Sequence, residues 1–243
     1  TIYGCSGVSI LILAALIAAI YAAAYGYTLE KIAYRPLRNA PRLSPLISAI
    51  GMSLFLQNYV LLAQTPDFLP FPALIPDFDF MEPIAHIMGS PELVILVTSA
   101  VSMVALTVLI KYTRIGKAMR ATQQDMTMAR LVGVNVDNVI SMTFIIGSVL
   151  AAIGGVLVGS YIGQINFYIG FMAGVKAFTA AVLGGIGNIP GAVLGALVLG
   201  LTEAYAAGYI SSAYEDVFAF GVLVLILILR PSGLLGKAVK LKV

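Results

Sequence analysis

The stretch NVISMTFIIGSVLAAIGGVLVGSYIGQINFYIGFMAGV, residues 138–175, decides the fold. It is free of charge over nearly twice the ~20 apolar residues that a helix needs to cross a bilayer. Within it, Gly147, Ala151, Gly155 and Gly159 recur at every fourth position. They form one small-residue ridge where another backbone can approach closely. Working outward, residues 1–29, 43–66, 93–110, 177–202 and 217–229 are also charge-free. The pattern predicts an all-α, polytopic transmembrane helical bundle, read as one domain over 1–243. Seven crossings are expected, near 6–28, 43–64, 92–111, 137–159, 171–187, 191–209 and 213–230. The fifth is short and rich in glycine.

Composition agrees. The chain is 60% hydrophobic and 10% charged, against about 25% charged in ordinary soluble domains. A soluble protein this apolar would have little polar surface to show water. A net charge of +3, with no basic run interleaved with aromatics, excludes a nucleic-acid surface. Cys5 is the only cysteine. No internal disulfide or cysteine-based metal cluster can form, and its plain reading is a small apolar side chain.

The loops are asymmetric. With the N-terminus outside, one inner loop holds Lys31, Arg35, Arg38 and Arg42. The next holds Lys111, Arg114, Lys117, Arg120 and Arg130, and Arg230, Lys237, Lys240 and Lys242 end the chain. All 14 basic residues except Lys176 then lie inside, as the positive-inside rule requires. The outer segments hold Asp67, Asp77, Asp79, Glu82, Glu92, Glu215 and Asp216 and no Lys or Arg. The C-terminus is expected in the cytoplasm. No basic region precedes the first apolar stretch, so residues 1–29 do not read as a signal peptide. An outer N-terminus of this kind raises the expectation of further spans before it.

Two loops differ in character. Residues 65–91 contain prolines at 66, 70, 72, 76 and 83, which preclude a long helix. They read as a connector or as a docking surface, and His86 there as a surface residue. The inner loop 112–137 suits a helix over Ala118–Leu131, free of Gly and Pro. It is apolar at Met119, Met126, Met128 and Leu131 and polar at Arg120, Gln123, Gln124, Asp125 and Arg130. Gly133 is placed to terminate it, and Asn135 or Asp137 to cap the next helix. Such a helix either lies on the membrane surface or docks into a cytoplasmic partner.

Residues 182–191, VLGGIGNIPG, cannot be helical throughout. Within a bilayer, irregular backbone is tolerated only when buried in protein or lining an aqueous cavity. This segment is expected to be a tight turn, a broken helix, or both. Lys176 and Glu203 fall inside spans, at depths of ~8 and ~9 Å below the outer helix ends at ~1.5 Å per residue. Ionisable groups there are usually paired or functional, and an intramembrane ion pair is expected.

Familiar catalytic chemistry is absent. There is no H-E-x-x-H, no G-x-S-x-G and no Walker A, and a single His leaves a triad without a base. Transport or channel function is the default. An ion-coupled secondary transporter is an alternative, which would have only Glu203 as its coupling acid. A channel would want a filter repeat that is lacking here.

Four motifs narrow this. EKIAYRPLR (30–38), LISAIGMSLFLQN (46–58), INFYIGFMAGVKAFTAAVLGGIG (165–187) and RPSGLLG (230–236) resemble the LivH-type permease subunits of bacterial branched-chain amino-acid ABC importers. The resemblance runs from about Tyr25 to Gly236. It implies a bacterial inner-membrane permease for leucine, isoleucine and valine; relatives of similar design carry urea, amides or other amino acids. It also implies a sister LivM-like permease, two cytoplasmic ATPase subunits and a periplasmic amino-acid-binding protein. This chain would hold no cofactor or metal, with ATP on the partner subunits and lipid around the spans. The inner loop becomes a coupling helix over 120–134, with Arg120, Gln124, Asp125, Leu131 and Gly133 as ATPase-coupling residues. Gln124 stands where some relatives carry Glu. Gln57, Asn58, Gly184, Gly185 and Gly187 are the expected translocation-path residues, with interhelical hydrogen bonding the plainer alternative for Gln57 and Asn58.

Overall fold

The computed structural model describes residues 2–38, 40–41, 43–72 and 89–236. Arg42, Asp77, Asp79, Glu82, His86, Lys237, Lys240 and Lys242 lie outside the described residues, as do the side chains of Cys5 and Glu215. The chain divides into two compact units, Thr1–Tyr168 and Ile169–Val243.

The first unit contains helices α1 (Ile2–Leu29), α2 (Leu43–Ala63), α3 (Ser90–Tyr112), α4 (Arg114–Gln124), α5 (Met126–Leu131) and α6 (Val136–Ile162). The second contains α7 (Ile169–Gly184), α8 (Ile189–Tyr209) and α9 (Glu215–Leu229). Each expected crossing has its helix. Among the described residues, five helical runs are long and apolar enough to cross a membrane: Ser9–Leu37, Ser90–Tyr112, Val136–Ile162, Ile189–Tyr209 and Ser212–Leu229. Ile47–Ala63 and Ile169–Gly184 are shorter apolar helices. The α7 helix ends at Gly184 rather than at 187, because Gly185 (φ +104°) and Gly187 (φ +90°) take left-handed backbone. Exposed apolar side chains such as Ile12, Ile20, Val101, Leu201 and Ile228 are a liability in water but suit lipid. The protein is a multi-pass, all-α membrane protein.

In the first unit α1 packs along α6. They meet closely at Gly26, where a Cβ would overlap the Ser148 hydroxyl. The expected ridge is thus only partly used. Gly147 and Gly155 face open space, whereas Gly159 lies under Phe71 and Ile165. Those two side chains belong to a small closure beyond α6. Gly163 (φ +74°) ends α6, and Gln164–Ile165 (β2) pairs antiparallel with Leu69–Pro70 (β1) in the register Leu69–Ile165 and Pro70–Gln164. The Phe71 amide donates to the Gly163 carbonyl at 2.9 Å.

In the second unit α7 packs on α8 through glycine. A Cβ on Gly184 would strike the Gly191 carbonyl, and one on Gly195 would strike the Ala180 carbonyl. Leu183 beside them is completely buried. Asn188 caps α8, its side chain accepting from the Gly191 amide at 3.3 Å.

Candidate functional site

The inner loop folds as a hairpin on the end of α3. Thr113 Oγ1 donates to the Leu109 carbonyl at 2.6 Å and accepts from the Gly116 amide at 3.1 Å. Gly116 is buried against the Ile110 backbone, where a side chain has no room. Arg120 Nη1 donates to the Ile110 carbonyl at 2.5 Å and the Lys111 carbonyl at 3.2 Å. A guanidinium on the orphan carbonyls of a helix C-terminus is favourable in charge as well as geometry. Of the expected coupling residues, Arg120 is therefore engaged within the chain.

One helix over Ala118–Leu131 was expected, and two are found. The break falls at Asp125, whose backbone is extended (φ −157°, ψ 113°) and whose carboxylate accepts from the Thr127 and Met128 amides at 2.8 and 3.1 Å. Aspartate competes for backbone donors in just this way and favours the N-cap over the helix interior. Gly133 (φ +84°) terminates α5, and Asn135, not Asp137, caps α6 by accepting from the Asn138 amide. The hairpin then buries Ala129 and leaves Met126, Met128, Leu131 and Val132 exposed. Gln124 is exposed as well. Asp125→Ala should cost about 1 kcal/mol of local stability, as N-cap losses do. Hydrogen exchange at the Thr127 and Met128 amides would speed up accordingly; unchanged protection would show the cap to be idle.

Asp137 is occupied otherwise. Its carboxylate takes Arg35 at 2.9 Å and also pairs with Arg38, while Arg130 is 4.0 Å away. Arg38 continues to Glu30, which is 1% exposed and also accepts from the Ser141 hydroxyl at 2.7 Å. None of this was expected from the sequence, where Arg35 and Arg38 read only as orientation charges.

In the second unit the structure places Lys176 Nζ 3.1 Å from Glu203 Oε2. It adds a third member, Asp216 at the start of α9, 3.3 Å from the same ammonium. The glycine segment is a clasped turn. The Leu234 and Leu235 amides donate to the Leu183 and Gly184 carbonyls at 2.9 and 3.1 Å, and Asn188 Nδ2 donates to the Leu235 carbonyl at 2.9 Å. Gly185 and Gly233 (φ +78°) meet backbone to backbone. Gly184 and Gly185 are thus buried against their own chain rather than facing a cavity, and Gly187 is exposed. The 230–236 motif, read from the sequence as a tail, is the other half of this turn. On α2, Asn58 donates to its own helix at the Leu54 carbonyl, 2.8 Å. Gln57 is half-buried, and its amide nitrogen has no partner among the described residues.

The described residues thus combine exposed apolar helices with one polar hairpin that carries an exposed apolar face. The profile of the family described as "Branched-chain amino acid transport system / permease component" matches residues 3–227. The chain belongs to this family. It is 49% identical to the high-affinity branched-chain amino acid transport system permease protein LivH of Escherichia coli K12 over 223 residues, 90% of this chain and 72% of that protein. It is 48% identical to the corresponding permease protein BraD of Pseudomonas aeruginosa over 238 residues, 96% of this chain and 78% of that one. A more distant likeness, 36% over 102 residues, links it to the autoinducer 2 import system permease protein LsrC of Yersinia enterocolitica, covering 40% of this chain and 28% of that protein. No solved structure matches the permease.

Proposed function

We propose that this permease carries leucine, isoleucine and valine into the cytoplasm as a membrane subunit of an ABC importer. The observation that carries the reading is the 49% identity to LivH across 90% of the chain. The subunit resides in the bacterial inner membrane with its C-terminus in the cytoplasm, the orientation that puts all 14 basic residues but Lys176 inside. A sister LivM-like permease, two ATPase subunits and a periplasmic binding protein complete the importer, and ATP acts on the ATPases.

The geometry supports a division of labour. The α4–α5 hairpin is the ATPase-docking element. Arg120 fixes it to α3 and Asp125 shapes it. The contact is the exposed face made by Met126, Met128, Leu131 and Val132, with Gln124 at its edge. A few well-packed residues at the centre of an interface carry most of its binding energy. Gln57, whose amide nitrogen has no partner among the described residues, is the candidate polar group of the translocation path. Gly184 and Gly185 serve as a rigid corner.

The test is uptake of labelled leucine by cells that lack their own importer and receive this permease with its partner subunits. Saturable leucine uptake that isoleucine and valine compete away is expected. Uptake competed only by other solutes, such as amides or urea, would refute the substrate assignment. Within that assay, Leu131→Asp with Val132→Asp should lower ATPase copurification and uptake together, by about tenfold or more for buried hot-spot residues. Full ATPase association in that variant would remove α5 as the docking face.

A further inference from the structure

The first span does not end cleanly. After Leu29 it continues as a five-residue π-helical segment, Glu30–Tyr34, and then a 3₁₀ turn, Arg35–Leu37. Wide helical turns of this kind are uncommon and concentrate at functional positions. Here the wide turn brings Glu30 inward to near-complete burial. A buried carboxylate needs a paired charge or strong donors, and Arg38 and Ser141 supply them.

Arg38 is the hinge pin of the arrangement. One guanidinium holds the carboxylate of Glu30, at the foot of the first span, and that of Asp137, in the first turn of α6. Its side chain is only 17% exposed, so solvent screens these contacts less than it would a surface pair. Asp137 also has Arg130, of α5, 4.0 Å away. The α5 helix buries Ala129, and after a link of only four residues α6 begins with Val136, 2% exposed.

We propose that Glu30, Arg38 and Asp137 are positioning residues that lock α1, α5 and the start of α6 into one moving body. A push delivered to α5 then tilts the first span with it instead of being absorbed in the loop. This rests on the reading of α5 as the ATPase-docking element. The fork of arginine suits the task. Its planar donors engage two acids in fixed directions, whereas a lysine ammonium is a point charge on a flexible stem.

The experiment uses the whole importer in nanodiscs, with Cys5→Ser and spin labels on cysteines at Thr127, on α5 but outside its docking face, and Ile12, on α1. Both positions are exposed. The label-to-label distance in the otherwise unaltered permease should agree between the nucleotide-free and ATP-trapped states within about 2 Å, the scale of a small helix shift. In Arg38→Lys, Arg38→Gln and Asp137→Asn it should differ by more than that. Arg38→Lys keeps the charge and so guards against failure to assemble. In the same variants, solute moved per ATP should fall about tenfold, within the usual range of coupling between sites, with ATP hydrolysis itself little changed. A distance that already changes with nucleotide in the unaltered permease overturns the proposal. So does an Arg38→Lys importer with unaltered distances and transport per ATP. If the distances behave as expected but no leucine is moved, the substrate assignment fails and the locked body stands.

Discussion

Gly184→Val is expected to abolish accumulation of the folded permease. The reason is the kind of atom the new methyl groups would meet. A Cβ at 184 runs into the carbonyl of Gly191, and the two next close points, Gly191 against Gly184 and Gly195 against Ala180, are also backbone against backbone. Overpacking an ordinary core costs about 1–3 kcal/mol because side chains can turn aside. Here no side chain is available to move, so α7 and α8 must separate. Separation also pulls the Leu183 and Gly184 carbonyls away from the Leu234 and Leu235 amides that they hold, and lost backbone hydrogen bonds are poorly replaced in lipid. Against a total stability of about 5–15 kcal/mol, the sum is decisive. Gly200→Ala is the control. It lies on the same α8, and a Cβ there meets nothing within 4 Å. The measurement is the amount of detergent-extracted, monodisperse protein and its melting temperature. A Gly184→Val protein that matches the Gly200→Ala control would show that the two helices do not approach at this point.

What the sequence discloses and what it conceals follow from the range of each interaction. The helices were legible because a span is a local property: apolarity over ~20 residues and nothing else. The turn at 184–191 was legible for the same reason, since its glycines are adjacent in the chain. Its partner was not. The 230–236 segment lies far along the sequence, and only the folded chain shows Asn188 reaching Leu235. The break at Asp125 was concealed for a subtler reason. An aspartate within a Gly- and Pro-free run reads as a helix surface, yet its carboxylate does better on the Thr127 and Met128 amides. The Glu30–Arg38–Asp137 cluster was hidden twice over. Positive-inside reasoning gives Arg35 and Arg38 a complete role already, and Asp137 at a helix start reads as a cap. The small-residue ridge shows the reverse error. Spacing predicted close packing along Gly147, Ala151, Gly155 and Gly159, but α1 approaches at the neighbouring Ser148.

Lys176→Met should be the most damaging single change among the ionisable residues of the spans. Lysine is the only cation that the described residues bring to the Glu203 and Asp216 carboxylates, at 3.1 and 3.3 Å. Without it two acids face each other. Asp216 is 43% exposed and can turn to water, but the Glu203 side chain is 17% exposed, and its Oε1 has no hydrogen-bond partner among the described residues. Stranding one charge of a buried pair costs about 3–5 kcal/mol. Because Lys176 is itself a third exposed, the lower end of that range applies, near the ~3 kcal/mol found for a lone charge in a spanning helix. The pair as a whole contributes much less than either half, since its attraction is offset by the desolvation of both ions. The double variant Lys176→Met/Glu203→Gln should therefore regain most of the stability lost in Lys176→Met. The exchange Lys176→Glu/Glu203→Lys should recover part of it, to the extent that the relocated ammonium still reaches Asp216. Thermal unfolding in detergent, with leucine uptake alongside, separates the cases. If the double variant unfolds as readily as Lys176→Met, the cost does not arise from an unpaired Glu203, and the lysine acts on something other than its two acids. If the double variant is stable but transports nothing, the triad belongs to the transport cycle and not only to the fold.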